Sequence, residues 1–408
     1  MVQLTVDIGG RPGIDCRGFC AYCYFKHAQE LPAFGCKYCL PFTKGCDYCS
    51  RSVQEKYSGF IPLRDIADKV LADLQRLTGD ITRITISGGG DPSCYPEFHD
   101  LIELLATLEA PLHIGYTSGK GFDDPDIADF LIENGLQEIS FTVFASDPAI
   151  RRKYMHDPTP EASLEVFLRL AQKIDAYAAL VVLPGINDGD VLLDTLRWLE
   201  NAGVKGTILM RFANSPEQGL ILNNAPIIPG QRVHTVDEFS ALIQSVKKMT
   251  SMRISGTPLC DPYLGSPFIL ADESDIIETL PVITKKAGII TGSIAGPYIS
   301  RILEKRGGKE EVIQVKKEIA DLITIDDIKA LDITSLPETI IIPGRSFIHI
   351  HEAEVVLSAD GNRRTIIRGP DMLTADGETS MGMSRNEVLA LELEGFRTLI
   401  NLINQWGT

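Results

Sequence analysis

The sequence VDIGGRPGIDCRGFCAYC, residues 6–23, joins a short apolar run to three closely spaced cysteines. Apolar side chains occupy every second position from residue 2 to residue 8, which is the period of a β-strand. A loop with glycine and proline follows and ends in a C-x3-C-x2-C pattern, formed by Cys16, Cys20 and Cys23. Three thiolates at this spacing can hold three irons of a [4Fe-4S] cluster and leave its fourth iron open to another ligand. Zinc is the alternative, with His27 as a further ligand.

Beyond this loop, runs of strand length alternate with helical patterns. The predicted strands are residues 2–8, 81–86, 112–117, 138–144, 178–183 and 207–212, with 253–256 as an addition. The predicted helices are 63–77, 97–108, 126–134, 163–174, 191–201 and 236–249. This βα repeat predicts an α/β fold with a parallel sheet and an active site at the C-terminal ends of the strands.

The pattern changes after about residue 270. Short β-rich runs at 339–342, 346–351, 354–357 and 364–368 precede a final helix that begins at a capping box, Ser384 with Glu387. We therefore predict two domains. Residues 1–275 form the first, including a cysteine-rich loop at 24–58, and residues 276–408 form a smaller, β-rich C-terminal domain.

Four further cysteines form two C-x2-C pairs that are six residues apart: Cys36, Cys39, Cys46 and Cys49. Four thiolates are enough to close a tetrahedral site around a single metal ion. The ligand type does not separate iron from zinc, so the sequence predicts one mononuclear iron or zinc. A structural role is favoured, because the ion would order a loop that has little core of its own.

Composition narrows the classes of function. The chain has 408 residues and a formal net charge of −16, which argues against nucleic-acid binding. No apolar run approaches the length of a membrane span, and the N-terminus lacks the basic and apolar regions of a secretory signal. Crowded cysteines are typical of metal ligation in a reducing compartment. We expect a cytoplasmic protein with no membrane or nucleic-acid partner.

The motifs together resemble the radical S-adenosylmethionine (SAM) superfamily. The resemblance rests on the C-x3-C-x2-C loop with Tyr22 before its last cysteine, on SGGGDP at 87–92 after the second strand, and on VLPGIND at 182–188 after the fifth. It implies a partial (β/α) barrel, a [4Fe-4S] cluster on the three cysteines and SAM on the open iron. SAM contacts would then come from the glycine turn and from later strand ends: Gly89, Gly90, Asp91, Thr142, Leu183, Arg211 and Asn214.

Taken whole, the layout is similar to the methanogenesis-marker arginine C-methyltransferases. This resemblance implies a cobalamin-dependent enzyme that methylates Cδ of an arginine in the alpha subunit of methyl-coenzyme M reductase. It further implies two partners, a peptide segment of that subunit and an electron donor. Tyr24 is a candidate to reach the open iron when SAM is absent, and Tyr116 is a candidate to face the substrate. No histidine lies in the Asp-x-His-x-x-Gly motif of many cobalamin domains, which leaves the C-terminal domain as the candidate cobalamin-binding domain.

Two other functions fit the same residues. One is a radical SAM peptide-maturation enzyme without cobalamin, whose second metal site transfers electrons. The other is a non-catalytic iron–sulfur or zinc interaction protein. SAM cleavage separates the enzymes from the binding protein, and corrinoid absorbance separates the two enzymes.

Overall fold

The computed structural model describes residues 2–28, 58–258, 260–308 and 311–408. The four cysteines of the paired C-x2-C motif, at positions 36, 39, 46 and 49, lie outside these residues. The predicted tetrathiolate site therefore stays a prediction.

The described residues form two compact units. The first contains residues 2–28, 58–212 and 227–257, and the second contains 213–226 and the described residues from 258 onward. The predicted first domain extends to residue 275, whereas residues 258–275 pack within the second unit. Their apolar side chains explain the difference, since Phe268 and Leu270 share a buried cluster with Phe396.

The first unit is built on a parallel sheet of seven strands that follow each other in chain order. The strands are β1 (Val2–Asp7), β2 (Ile81–Ser87), β3 (Leu112–Thr117), β4 (Leu136–Thr142), β5 (Asp175–Val182), β6 (Gly206–Arg211) and β7 (Arg253–Thr257). This sheet confirms the predicted α/β class and partial barrel. Ala178, Ala179 and Leu180 are consecutive in β5 and all buried, as expected for a strand that is covered on both faces.

Helices connect these strands. They are α1 (Leu63–Leu74), α2 (Phe98–Ala106), α3 (Ile127–Glu133), α4 (Pro148–Met155), α5 (Pro160–Ala171), α6 (Asp190–Asn201) and α7 (Val236–Lys247). Local sequence sets several of their starts. The Asp147 carboxylate accepts hydrogen bonds from the amides of Ala149 and Ile150, and Pro148 occupies the first helical position of α4. None of the helices in the described part of the chain is long and apolar enough to cross a membrane.

The second unit contains a four-stranded parallel sheet in the order β11-β10-β8-β9. Its strands are β8 (Gly288–Thr291), β9 (Glu311–Gln314), β10 (Thr339–Ile342) and β11 (Thr365–Arg368). Its helices are α8 (Ser274–Ile277), α9 (Gly296–Glu304), α10 (Ile325–Lys329), α11 (Ile350–Leu357) and α12 (Arg385–Trp406). The strand order reverses direction between β8 and β10, which is the topological switch point of an open α/β sheet.

The β-rich description of this domain needs correction. The strands predicted at 346–351 and 354–357 do not form; α11 occupies residues 350–357. The run contains β-branched residues, but Ala353 and Leu357, four residues apart, are the fully buried ones. That spacing is the period of a helix, and it outweighs β-propensity here. The C-terminal unit is therefore α/β with a parallel sheet.

A buried arginine fixes the ends of two neighbouring strands in the first unit. Arg151 on α4 is fully buried and lies 2.6 Å from the Asp157 carboxylate. Its guanidinium also donates to the carbonyls of Thr142 and Val143 after β4, at 2.7 and 2.9 Å, and to that of Ser118 after β3. One side chain thus sets the distance between two loops at the C-terminal edge of the sheet.

We expect Arg151→Met to lower the free energy of unfolding by about 3–5 kcal/mol, because it leaves the Asp157 charge buried without its partner. Arg152→Met is the matched control. The side chain of Arg152 is half exposed, and its bond to Glu161 at 2.8 Å is accessible to water, so its loss should cost less than about 1 kcal/mol. Urea denaturation followed by circular dichroism measures both, and equal losses would contradict the assignment.

Candidate active site

The three-cysteine loop follows β1 and is tied by its own backbone. Cys16 ends a short 3₁₀ turn, Ile14–Cys16, and its sulfur accepts a hydrogen bond from the Gly13 amide at 3.3 Å. Cys20 and Cys23 are joined by a turn in which the Cys23 amide donates to the Cys20 carbonyl at 3.1 Å. All three side chains are half-buried. The loop therefore presents three sulfurs at the C-terminal edge of the sheet, next to the end of β1.

Burial disfavours the thiolate form of each cysteine. It raises the pKa of Cys16 to about 12 and that of Cys23 to about 11, and it also raises the pKa of Cys20. Nearby sulfurs add to the effect, since Cys23 raises the pKa of Cys16 and Cys20 raises the pKa of Cys23. The free thiols are therefore protonated at neutral pH. An iron cluster supplies the positive charge that would remove these protons.

This donor set fits a cubane. In the described residues, no three side chains of the metal-binding types converge on a single ion. A cubane does not require that convergence, because each thiolate binds a different iron. The three sulfurs belong to one short loop and share a partly shielded site, so they suit a [4Fe-4S] cluster with one open iron.

The glycine loop after β2 packs against the cysteine loop at backbone distance. The Gly90 amide donates to the Gly9 carbonyl at 3.0 Å, and the Asp91 amide donates to the Asp15 carbonyl at 3.2 Å. A Cβ atom built on Gly10 would lie 2.6 Å from Gly90 Cα, and Gly10 also has a φ of 93°. Only glycine satisfies both conditions. The two loops that the sequence singled out are thus brought together.

Asp91 acts as a clamp between the β2 and β3 loops. It is 6% exposed, and its Oδ1 accepts hydrogen bonds from the Ser93 amide at 2.9 Å, the Ser93 hydroxyl at 2.6 Å and the Thr117 hydroxyl at 2.6 Å. Its Oδ2 accepts from the Ser118 amide at 2.6 Å and from the Ser118 hydroxyl. The carboxylate is committed to protein donors, so the backbone of Gly89 and Gly90 remains as the surface that this turn offers to a ligand.

Three of the later candidates lie at the ends of neighbouring strands. Thr142 ends β4, Leu183 follows β5 and Arg211 ends β6, and β4, β5 and β6 are adjacent in the sheet. Arg211 is 8% exposed and donates to the His234 carbonyl at 3.1 Å. Burial lowers the pKa of Arg211. Asn214 belongs to the second unit, where its amide donates to the Gln218 side chain at 2.9 Å.

The tyrosines differ in exposure. Tyr24 is half-buried and makes an edge contact with Phe25 at 5.4 Å between ring centroids. Tyr116, on β3, is 41% exposed. Tyr22 is buried and stacks on Phe144 at 4.8 Å. The roles predicted for Tyr24 and Tyr116 stay predictions.

Sequence reasoning missed two buried cations at this edge, Lys120 and Arg151, both fully buried. Lys120 Nζ donates to the Gly18 carbonyl, inside the cysteine loop, at 2.8 Å. Lysine is almost never fully buried unless its charge is paired. The position of Lys120, directly after the Thr-Ser-Gly sequence at the end of β3, was the signal in the sequence that could have indicated it. Its burial, however, depends on the folded loops around it.

The second unit has its own cavity, of about 420 Å³, at the C-terminal ends of β8 and β10. Strand ends and the loops after them line it, including Thr291, Ile294, Ala320, Asp321, Ile342, Gly344, Arg345, Gly369 and Thr374. Burial raises the pKa of Asp321. Arg345 Nε lies 3.8 Å from the Asp321 carboxylate. The cavity lies at the switch point of the sheet, where open α/β folds bind their ligands.

A buried glutamate supports this cavity. Glu392 on α12 is fully buried and accepts hydrogen bonds from the amides of Ile269 and Leu270 at 3.2 and 2.8 Å. The Thr374 hydroxyl also contacts it. Desolvation raises the pKa of Glu392, and these donors oppose that shift. Glu392 thereby fixes Thr374 in the wall of the cavity.

Residues 43–205 match the model of the radical SAM superfamily. The match covers less than half of the chain and begins after Cys23. No curated protein matches. Three solved structures are similar. Streptococcus suis SuiB is 9% identical, with 65% of this chain and 51% of SuiB covered and a TM-score of 0.43. A radical SAM methyltransferase from Sphaerobacter thermophilus is 14% identical, with 56% of this chain and 64% of that chain covered and a TM-score of 0.36, and methylornithine synthase PylB is 10% identical, with 95% and 85% covered and a TM-score of 0.37. The chain thus spans about half the length of SuiB.

We expect Asp91→Asn to lower the free energy of unfolding by about 1–3 kcal/mol, because an amide cannot accept hydrogen bonds at both positions where the carboxylate does. The Ser118 amide should exchange its hydrogen faster, which mass spectrometry after deuterium exchange measures. Asp100→Asn, at an exposed position on α2, is the control and should leave both quantities unchanged. Unaltered exchange at Ser118 in the Asp91 variant would refute the clamp.

Proposed function

We propose that this chain is a cobalamin-dependent radical SAM methyltransferase that methylates Cδ of an arginine in the alpha subunit of methyl-coenzyme M reductase. The observation that carries the radical SAM part is the packing of the three-cysteine loop against Gly90 in a chain with a radical SAM domain. The methyltransferase part rests on the sequence resemblance, and the switch-point cavity of the second unit supports it.

Cys16, Cys20 and Cys23 would hold the cluster, and the backbone of Gly89 and Gly90 beside Cys16 would receive the amino group of SAM. When bound there, a cluster would supply the electron for the reductive cleavage of SAM to methionine and a 5′-deoxyadenosyl radical. Thr142, Leu183 and Arg211 are the candidates for the remaining SAM contacts, at the ends of three adjacent strands. Arg211 offers the only cation among these three, which suits the SAM carboxylate.

The rest of the site would orient the reactants and keep water out. Asp91 and Arg151 hold the ends of β2, β3 and β4 in place, so the loops do not need to order when SAM binds. Such preorganisation is what a reaction through a free radical requires. Tyr116 is exposed beside these loops and is the aromatic group that this edge offers to a peptide.

The cavity between β8 and β10 would hold part of the cobalamin, which supplies the methyl group. Its volume of about 420 Å³ is at the lower end for a small-molecule site, so it suits one portion of so large a cofactor. None of its described lining residues is a histidine. This composition fits the absence of the Asp-x-His-x-x-Gly motif, and the cofactor would bind without an imidazole ligand.

The chemistry of the arginine substrate explains why a radical and a separate methyl donor would be required. Arginine Cδ carries no acidic proton, so a base cannot activate it, whereas a radical can remove its hydrogen atom. In the balanced reaction one SAM yields methionine and 5′-deoxyadenosine, and a second SAM loses its methyl group to become S-adenosylhomocysteine. Two electrons come from an external donor. The acidic chain, with a net charge of −16, suits a peptide that carries a guanidinium.

Replacing Cys16, Cys20 and Cys23 together by alanine should abolish 5′-deoxyadenosine formation, because the cluster loses its ligands. Liquid chromatography after anaerobic incubation with SAM and dithionite measures the product. Cys260→Ala, a buried cysteine of the second unit, is the control and should retain the activity. The triple variant should still contain about one iron or zinc per chain, held by Cys36, Cys39, Cys46 and Cys49. Retained SAM cleavage, or no residual metal, would contradict one or the other assignment.

SAM with a deuterated methyl group should place CD3 on a carbon of arginine in a peptide from the proposed substrate. Arginine deuterated at Cδ should transfer deuterium to 5′-deoxyadenosine. Mass spectrometry reads both labels. Methylation of a guanidinium nitrogen, or full turnover after rigorous removal of corrinoid, would exclude this function.

A substitution in the cavity distinguishes cobalamin binding from SAM binding. Ala320→Trp should fill the cavity, so that corrinoid absorbance and methyl transfer are lost while SAM cleavage continues. Ala359→Trp makes the same change at an exposed turn of the same unit and should retain corrinoid absorbance, methyl transfer and SAM cleavage.

A further inference from the structure

Lys120 is a buried ammonium beside the cysteine loop that lacks a carboxylate partner. Its side chain is fully buried, and Nζ donates to the Gly18 carbonyl at 2.8 Å. Among the residues that the structure describes, no carboxylate forms an ion pair with it. Burying an unpaired charge is costly, and one neutral carbonyl does not offset that cost. The site around Lys120 is therefore suited to an anion that the protein's own carboxylates do not supply.

Lys120 lies against the three-cysteine loop. The Gly18 carbonyl that accepts from its ammonium lies midway in the sequence between Cys16 and Cys20. The ammonium is thus close to where negative charge would collect if the loop bound iron through its sulfurs.

Tyr22 adds a second polar group, at a position between Cys20 and Cys23. Its ring is held by stacking on Phe144, and its hydroxyl is buried with no hydrogen-bond partner of normal geometry within the described part of the chain. A buried hydroxyl usually has a partner, so this one is available to a negatively charged group at the loop.

Two other cations near this loop are paired with carboxylates. Arg151 forms its ion pair with Asp157 at 2.6 Å, and Arg17 lies 2.7 Å from the Asp123 carboxylate. Their charges are largely compensated within the protein. Lys120 differs from both, because it is fully buried and its ammonium donates to a neutral carbonyl.

We propose that Lys120 and Tyr22, two buried polar groups at the three-cysteine loop, raise the reduction potential of the cluster. The inference rests on the cluster ligation in the proposed function. With three thiolate ligands the oxidised cluster carries one net negative charge and the reduced cluster carries two. A fixed cation and an O–H donor stabilise the more negative form more strongly, so reduction by the external donor becomes easier. Both are positioning residues, because they act through the charge of the cluster.

A redox titration of the reconstituted full chain, monitored by electron paramagnetic resonance without substrate, tests this. At the wild-type midpoint potential, Lys120→Met should lower the ratio of reduced to oxidised cluster about tenfold, which equals 59 mV for one electron. Lys120→Arg keeps the charge and should stay near the wild-type value. Lys153→Met removes an exposed lysine from α4 and should shift nothing.

Tyr22→Phe removes only the hydroxyl and should shift the midpoint in the same direction by less. The Tyr22→Phe variant also tests the proposal if Lys120→Met fails to take up iron. In that case, an unchanged midpoint potential in Tyr22→Phe would overturn the proposal. A loaded Lys120→Met variant with the wild-type midpoint would overturn it as well. Weaker SAM binding with an unchanged midpoint would instead assign Lys120 to the SAM carboxylate. Loss of methyl transfer alone bears on the proposed function and leaves this measurement unaffected.

Discussion

The contact between the backbones of Gly10 and Gly90 is the constraint on which the site depends. Any side chain at residue 10 would overlap Gly90, and the amides of Gly90 and Asp91 donate to carbonyls of the β1 loop. The contact is possible because β1 and β2 are parallel neighbours, so both loops leave the same edge of the sheet. A loop rich in cysteine and a loop rich in glycine thereby become one surface.

Further strand ends are joined by buried polar side chains. Asp91 links the loops after β2 and β3, and Arg151 links those after β3 and β4. Asn187 continues the series, since its amide donates to the Phe144 carbonyl after β4 and its oxygen accepts from the Leu183 amide after β5. Each link is a satisfied hydrogen-bonding group in a region shielded from water, where such bonds are strong and specific. The edge is therefore preorganised by the protein's own side chains.

The sequence allowed the first unit to be predicted because its signals are local. Apolar runs, the cysteine spacing and the glycine turn all act over a few residues, and the strand order follows the chain. The second unit shows the limit, since residues 350–357 combine β-branched side chains with helical burial and only packing decides between them. Lys120 shows a different limit: its burial arises from loops that are far apart in the sequence, so no local pattern marks it.

Both units place their candidate sites at the C-terminal ends of parallel strands, and the reason is common to both. Parallel strands such as β8 and β10 are buried and apolar along their length, with Ile340, Ile341 and Ile342 almost fully inaccessible. Chemistry must then come from the loops that leave the strands. In the first unit, glycine and cysteine loops supply sulfur and bare backbone. In the second unit, the reversal of strand order opens a cavity at the C-terminal edge of the sheet. This edge therefore offers a cavity for a ligand in the second unit, whereas in the first unit it offers sulfur ligands for iron.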